Sequence, residues 1–454
     1  MKKMVELGKL LDWGFVFPVF SGIQIDINVV LRLVKEMMEE AMLCNHSCTD
    51  IVGEYDCPAA FLYNKGLKKK YLASMLKILE WIEIAAEGLR RVRDDFLRDD
   101  KGFYLRYNIP PIIQEYIKEN LRTGKIEVNL FGGNPEMHPA ILELVVQLRL
   151  RGFIVNLTTT GRSFLEEKTF FDGIKKASPH LIAVSADDFE IRRLKDLLKL
   201  DTEELRQEWR KIPKDHGQAQ KFLEGVYTAK LFSGMKEPKL LFNMVIHRKN
   251  IAHVGSLINA LAKQFPNVLI NPYPMQASFA YKSEFFDDSD LKMFHRFVDR
   301  MIDLTISGAP FITKRLHYWI VMKAVFLTYK ADTYTIRRMV AGYGTWQCYR
   351  EPNIPYLQIG RGPKGLIITD ATAGGKLGCF WNNQTVTQSQ TLASIDQVSE
   401  YLSGGMKELA RRSAQPCPGC NMPRLWFNVL STWAGISPKL VPAVLHLQEK
   451  HLGF

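Results

Sequence analysis

The seven cysteines carry the most chemistry in their spacing. Cys44, Cys48 and Cys57 lie in the N-terminal third, and Cys348, Cys379, Cys417 and Cys420 in the C-terminal quarter. Cysteine thiolates hold iron–sulfur clusters and structural zinc. Four thiolates close a coordination shell, whereas three around a cubane leave one iron open to an outside ligand. The grouping therefore predicts one open centre and one closed one. Free cysteine is also a common buried small residue, but Cys417-Pro418-Gly419-Cys420 has a chelating spacing that this reading does not explain. Zinc competes for the four-cysteine group and explains the three-cysteine group less well.

A second set of polar residues sits where apolar runs end. Ile126 to Phe131 reads as a strand, followed by a turn at Gly132, Gly133, Asn134 and Pro135. Phe153 to Leu157 ends in Thr158-Thr159-Thr160-Gly161, and Leu181 to Ser185 ends in Ala186-Asp187-Asp188. Leu240 to His247 and Val268 to Tyr273 read as two further strands. Helical patterns stand between them, at Pro139 to Arg149, about 164–177, about 190–232 and 252–264. Strands alternating with helices imply βαβ units and a parallel sheet, whose ligands sit at the strands' carboxyl ends. The turns after Phe131, Leu157 and Ser185 are thus expected to converge.

These polar residues also have bland readings. Ser185 and Thr159 hydroxyls at strand ends often bond backbone. His138 suits a turn, and Asp187 and Asp188 suit a helix cap as well as an acid–base pair.

The flanks are less regular. Residues 1–43 read as a mixed lead-in in which Asp26 suits a helix cap. Residues 68–98 form an amphipathic pattern, with Leu72, Met75, Leu76, Leu79, Ile82, Ala86 and Leu89 on one stripe. Residues 288–306 and 315–328 look helical. Tyr356 to Ile359 and Leu366 to Thr369 flank Gly360-Arg361-Gly362-Pro363-Lys364-Gly365, which reads as a hairpin. A phosphate-cradling loop is the sharper reading of those glycines, but no helix start follows. Trp433 to Phe454 has an amphipathic pattern suited to covering the core or touching a partner.

Composition bounds the rest. With 454 residues, 46% hydrophobic and 24% charged, the chain is an ordinary folded protein and not a disordered one. The net charge of +12 favours acidic partners without choosing among them. No run reaches the roughly 18 apolar residues of a membrane span. Glu6, Lys9, Asp12 and Pro18 interrupt the N-terminal apolar patch, so a signal peptide is not expected and the cytoplasm is.

Together these motifs resemble the radical S-adenosylmethionine enzymes. Cys44-Asn45-His46-Ser47-Cys48 resembles the opening of their cluster loop. Phe131-Gly132-Gly133-Asn134-Pro135 resembles their GGEP turn, Thr158-Thr159-Thr160-Gly161 their TTNG, and Val184-Ser185-Ala186-Asp187 their strand ending in S-x-D. Phe242-Asn243-Met244-Val245 resembles their fifth strand. The match spans roughly residues 40–280. Cys348, Cys379, Cys417 and Cys420 resemble the auxiliary-cluster extension called twitch or SPASM, nearer the twitch form because four cysteines fit one cluster.

The cluster loop departs from the family. Eight residues, Thr49 to Asp56, separate Cys48 from Cys57, where the family has two. Asp56 stands where an aromatic residue near the adenine is usual, with Tyr55 one position earlier. Either the loop is simply longer, at small entropic cost, or the cluster site is altered. Asn134 replaces the family's glutamate.

The resemblance implies an α/β fold: a partial parallel (β/α)6 barrel of radical SAM type, with helical insertions and a small C-terminal auxiliary-cluster domain. The lead-in would be 1–43, the core 44–282 with an insertion at about 58–125, a helical linker 283–345, and the cluster domain with its C-terminal helix 346–454. Cys44, Cys48 and Cys57 would hold a 4Fe–4S cluster whose open iron binds S-adenosylmethionine (AdoMet). The backbone at Gly132–Pro135 would receive its methionyl amine. Thr159, Ser185, Asn243 and Tyr55 would contact the rest. Cys348, Cys379, Cys417 and Cys420 would hold a second 4Fe–4S cluster. Electrons from a donor such as flavodoxin or ferredoxin would cleave AdoMet reductively to a 5′-deoxyadenosyl radical. That radical would take hydrogen from a peptide or small molecule, in a net oxidation or a bond-forming reaction. Two other expectations stay open: a nucleic-acid (tRNA) modifying radical enzyme, and a non-catalytic iron–sulfur or zinc protein on the same scaffold. A lipid-modifying role has no specific motif behind it.

Overall fold

In the computed structural model the described residues are 22–26, 74–98, 126–131, 134–186, 191–212, 217–248, 250–274, 288–312, 319, 356–362, 365–370 and 394–399. The seven cysteines, Tyr55, Gly132, Gly133, Asp187, Asp188 and the stretch 433–454 lie outside them, as does most of 315–328. None of the helices among the described residues is long and apolar enough to cross a membrane.

Six strands run parallel and lie side by side in chain order: β1 (Gly22–Asp26), β2 (Glu127–Phe131), β3 (Ile154–Thr159), β4 (Leu181–Ser185), β5 (Lys239–Ile246) and β6 (Leu269–Pro274). A hairpin, β7 (Tyr356–Gly362) and β8 (Gly365–Asp370), extends the sheet beyond β1. Its first strand pairs parallel with β1, from Gly22↔Tyr356 to Ile25↔Ile359. The sheet is open, with β6 and β8 at its two edges. β1 falls inside the lead-in that the sequence left without a strand, and Asp26 ends it. In the glycine-rich segment, Gly360, Arg361 and Gly362 end β7 and Gly365 opens β8, so the segment belongs to a hairpin of antiparallel strands.

Nine helices occur among the described residues. They are α1 (Met75–Arg98), α2 (Ile141–Leu150), α3 (Arg162–Glu166), α4 (Lys168–Ala177), α5 (Ile191–Leu197), α6 (Thr202–Lys211), α7 (Gly217–Phe232), α8 (Val254–Gln264) and α9 (Asp288–Ile306). The expected helix at 164–177 is therefore two, broken at Glu167, and the helices expected over about 190–232 are three. α6 starts on a capping box: the Asp201 carboxylate accepts from the Glu203 and Glu204 N–H groups, and Glu204 reaches back to Asp201 N–H.

The strands alternate. Val128, Leu130, Val155, Leu157, Ile182, Val184, Leu240, Phe242, Met244, Ile246 and Ile270 enter one continuous core with the buried faces of the helices. Each such side chain stabilises by about 1.5–3 kcal/mol when fully buried. Helix α1 contributes Ile78, Leu79, Trp81, Ile82, Ala85, Ala86 and Leu89. Its buried stripe is wider than the sequence pattern and rotated from it, and Leu76 is 72% exposed. Helix α7 is buried all round, from Phe222 to Ala229. Its burial carries two polar residues, Glu224 and Thr228, into the interior.

Candidate functional site

The turns after β2 and β3 meet. Asn134 is wholly buried and leads into a short 3₁₀ turn, Pro135–Met137, where Glu136 and His138 are also buried. His138 serves the turn, its Nδ1 accepting from Ala140 N–H at 3.2 Å. The Thr159 hydroxyl donates to Glu136 Oε1 at 2.6 Å and accepts from Gly161 N–H at 2.9 Å. The Thr160 hydroxyl donates to Asn134 Oδ1 at 3.3 Å and accepts from Arg162 N–H at 3.3 Å. Two side-chain bridges therefore tie one turn to the other. Gly161 makes this possible: it sits at φ +90°, which costs glycine nothing. A Cβ there would stand 3.0 Å from the Glu224 carbonyl oxygen and would collide with the Thr228 hydroxyl.

Helix α7 closes the back of this knot. Glu224 Oε1 accepts from Trp209 Nε1 at 3.2 Å. Burial pushes the Glu136 carboxyl up to about 7, against the opposing pull of the Thr159 hydroxyl. Burial does the same to Glu224, up to about 7, and the Arg162 guanidinium opposes it. Arg162 itself pairs with Glu166 at 2.8 Å and lies over the Trp209 ring.

The opposite face of the sheet has a different polar band. Strand register places Asn129, Thr158, Ala183, Ser185, Asn243 and Asn271 on that one face. Thr158 Oγ1 donates to Asn129 Oδ1 at 3.2 Å, and Asn271 Nδ2 to Asn243 Oδ1 at 2.8 Å. Lower on the same face, Asn156 Nδ2 donates to Glu127 Oε1 at 2.7 Å. Most of this band is half-buried, in contrast to the knot. Asn271 Oδ1 is buried with no hydrogen-bond partner among the described residues. A buried polar atom without a partner is costly unless a ligand or water meets it.

The structure thus brings Ser185 and Asn243 together, directly paired across β4 and β5. It places the Thr159 side chain on the other face of the sheet, bonded to Glu136, while its neighbour Thr158 shares the face of Ser185 and Asn243. The Asn134 side chain is engaged with Thr160. Asn129, Thr158 and Asn271 join the band, and Thr160, Glu136 and Glu224 the knot, without having been singled out from sequence. Asn129 and Asn271 had a signal: each is polar between buried neighbours in a strand. Glu224 had none, because its burial depends on what packs around α7.

Comparison with protein-family models gives no match, and comparison with curated proteins gives none. Among solved structures, the chain is similar to TYW1 with a lysine-pyruvate adduct bound, at 13% identity over 67% of this chain and 81% of that one, with TM-score 0.32. It is similar to native anSMEcpe with bound AdoMet and Cp18Cys peptide, at 11% identity over 94% of this chain and 99% of that one, with TM-score 0.40. An archaeal TYW1 overlaps 54% of this chain and 67% of its own length, at 13% identity and TM-score 0.26.

Proposed function

We propose that this chain is a radical S-adenosylmethionine enzyme whose sheet curves as a partial barrel around the cofactor. One observation carries the reading. The motifs that resemble the family in sequence end β2, β3 and β4, three adjacent parallel strands. Carboxyl ends of adjacent parallel strands are where such sheets bind ligands.

The residues fit the groups by donor chemistry. Cys44, Cys48 and Cys57 are three thiolate donors and would hold a 4Fe–4S cluster. The polar band offers AdoMet a hydroxyl and two amides at Ser185, Asn243 and Asn271, and the partnerless Asn271 Oδ1 is suited to accept from a ribose hydroxyl or an amine. When bound, such a cluster with AdoMet would supply reductive one-electron cleavage and hydrogen abstraction from a substrate. The chain's own part is to bind, to orient and to exclude water. The Gly132–Pro135 backbone would receive the methionyl amine, and the Asn134 and Glu136 side chains tie the adjoining turn, Pro135–Met137, to the turn after β3.

The half-buried band of amides and hydroxyls suits a hydrogen-bonding substrate, a peptide or polar small molecule, better than a lipid. Cys348, Cys379, Cys417 and Cys420 would hold a second 4Fe–4S cluster in a twitch-like C-terminal domain. Flavodoxin or ferredoxin would be the reductant, and the cytoplasm the compartment.

The test is anaerobic reconstitution with iron and sulfide, reduction, addition of AdoMet, and quantification of 5′-deoxyadenosine beside a Cys57→Ala variant. Production by the wild type and loss in the variant is expected. Zinc alone in the purified protein, or equal production by both, would overturn the reading of the cluster loop.

A further inference from the structure

The stretch of chain that carries Cys44, Cys48 and Cys57 joins β1 to α1, since β1 ends at Asp26 and α1 begins at Met75. Both flanking elements are covered by the C-terminal quarter. β7 pairs with β1 from Gly22↔Tyr356 to Ile25↔Ile359. Helix α1 packs against β1, β7 and β8. Ile359 and Val398 are wholly buried in the core that α1 enters. The contact at Val398 is close. Residues 394–399 open a helical turn, in which the Ser394 hydroxyl accepts from Gln397 N–H at 3.2 Å. Val398 stands over Gly88, inside α1. A Cβ at Gly88 would collide with Val398 Cγ1, and would lie 2.7 Å from Val398 Cβ and 3.6 Å from Ser399 N. Valine is short and stiff at χ1, so it cannot swing aside. Glycine is a poor residue for a helix interior; here it admits the C-terminal segment. One turn further along α1, Arg91 pairs with Asp396 at 2.5 Å. Both of those side chains are substantially exposed, so the pair orients the segment more than it holds it.

We infer that the C-terminal quarter braces both ends of the three-cysteine stretch: β7 holds β1, and Val398, seated on Gly88, holds α1. Gly88 and Val398 are thus positioning residues for residues 27–73, far from them in the chain. Fixing both ends of a long connection narrows the conformations open to it. The brace is built from β7, β8 and residues 394–399, so it does not require the four C-terminal cysteines. Its bearing on a cluster rests on the proposed function above.

The experiment uses the full chain carrying Cys348→Ser, Cys379→Ser, Cys417→Ser and Cys420→Ser, so that only the three-cysteine group can take up a cluster. After anaerobic reconstitution, iron release to a ferrous chelator reads the hold on that cluster. Hydrogen exchange reads the docking with no cluster needed. In this parent, Gly88→Ala is expected to speed exchange in residues 394–399 and in β7, and to release iron about tenfold faster. Gly173→Ala is the control: its Cβ would lie 2.5 Å from Leu142 Cδ1, a collision of α4 with α2 away from the brace. It is expected to release iron within about twofold of the parent. Gly88→Ala combined with Val398→Gly moves the side chain across the contact and is expected to return release to within about threefold. Unchanged exchange in 394–399 on Gly88→Ala would overturn the seat. Faster exchange there with unchanged iron release would overturn the brace, and so would Gly173→Ala releasing iron as fast as Gly88→Ala. A parent that takes up no iron would overturn the three-cysteine cluster instead. The brace would then stand if Gly88→Ala loosened β1 and α1 together by exchange, and fall if it did not.

Discussion

The two faces of one sheet carry two kinds of polar chemistry. On the helix side, Asn134, Glu136, Thr159, Thr160 and Glu224 are sealed from water and bonded mostly to one another. On the other side, Asn129, Thr158, Ser185, Asn243 and Asn271 form a half-open band, with one buried oxygen unmet. Neighbouring residues of one strand, Thr158 and Thr159, belong to different regions because strand alternation sends them to opposite faces. A sealed polar group needs its internal partners, so its loss destabilises the fold. A half-open group keeps water, so its loss is felt first by a ligand.

That contrast is open to measurement. The largest effect is expected from pH. Glu136 and Glu224 are raised from 4.5 to about 7 in the folded protein, so the folded state holds more protons than the unfolded one between those values. Their contribution to stability is fully present below about 4.5 and is lost as pH rises through about 7, on the order of 3 kcal/mol per carboxyl at most. Urea midpoints between pH 5 and 8 should fall in the wild type and flatten in a Glu136→Gln, Glu224→Gln double variant. An unchanged slope in the double variant would mean that other groups set it.

Gly161→Ala comes next. The left-handed backbone and the collision with α7 are expected to destabilise by about 3 kcal/mol, read as a lowered melting temperature. A smaller loss than that of an exposed Gly152→Ala, where φ is +80° with open space around it, would show that the turn yields instead. Arg206→Met tests the same helix side at a distance. The Arg206 guanidinium is buried and donates to the Leu165 carbonyl at 2.8 Å and the Tyr227 hydroxyl at 2.6 Å. Leaving those acceptors bare is expected to cost about 2 kcal/mol in denaturant titrations. Smallest in stability is Asn271→Ala on the open band, within about 1 kcal/mol of the wild type. On the proposed function its AdoMet affinity is nonetheless expected to fall about tenfold, and an affinity unchanged by dialysis would remove Asn271 from the proposed site.

Much of the architecture was legible because its causes are local. β4 spans the residues read from the sequence, and the other core strands differ by a residue or two at their ends. β1 was not legible: Gly22–Asp26 is short, and its hydrogen bonds come from β2 and from β7, more than 300 residues away. The hairpin was read correctly as a hairpin, yet nothing in its glycine-rich turn told that it would extend the sheet along β1.

The site divides in the same way. Ser185 and Asn243 could be picked out from motif and strand pattern, and register places them side by side. Glu136 and Glu224 could not, because a carboxyl's protonation depends on the water removed around it, and that is set by packing over long sequence separations. By itself, the sequence determined the strand–helix rhythm, the two cysteine groups and the motifs at the strand ends, since each rests on residue type and short spacing. Only the tertiary structure decided which threonine faces which side, which acids are sealed in, and which amide oxygen is left unmet. Those depend on strand register and on what a buried helix brings against the turns.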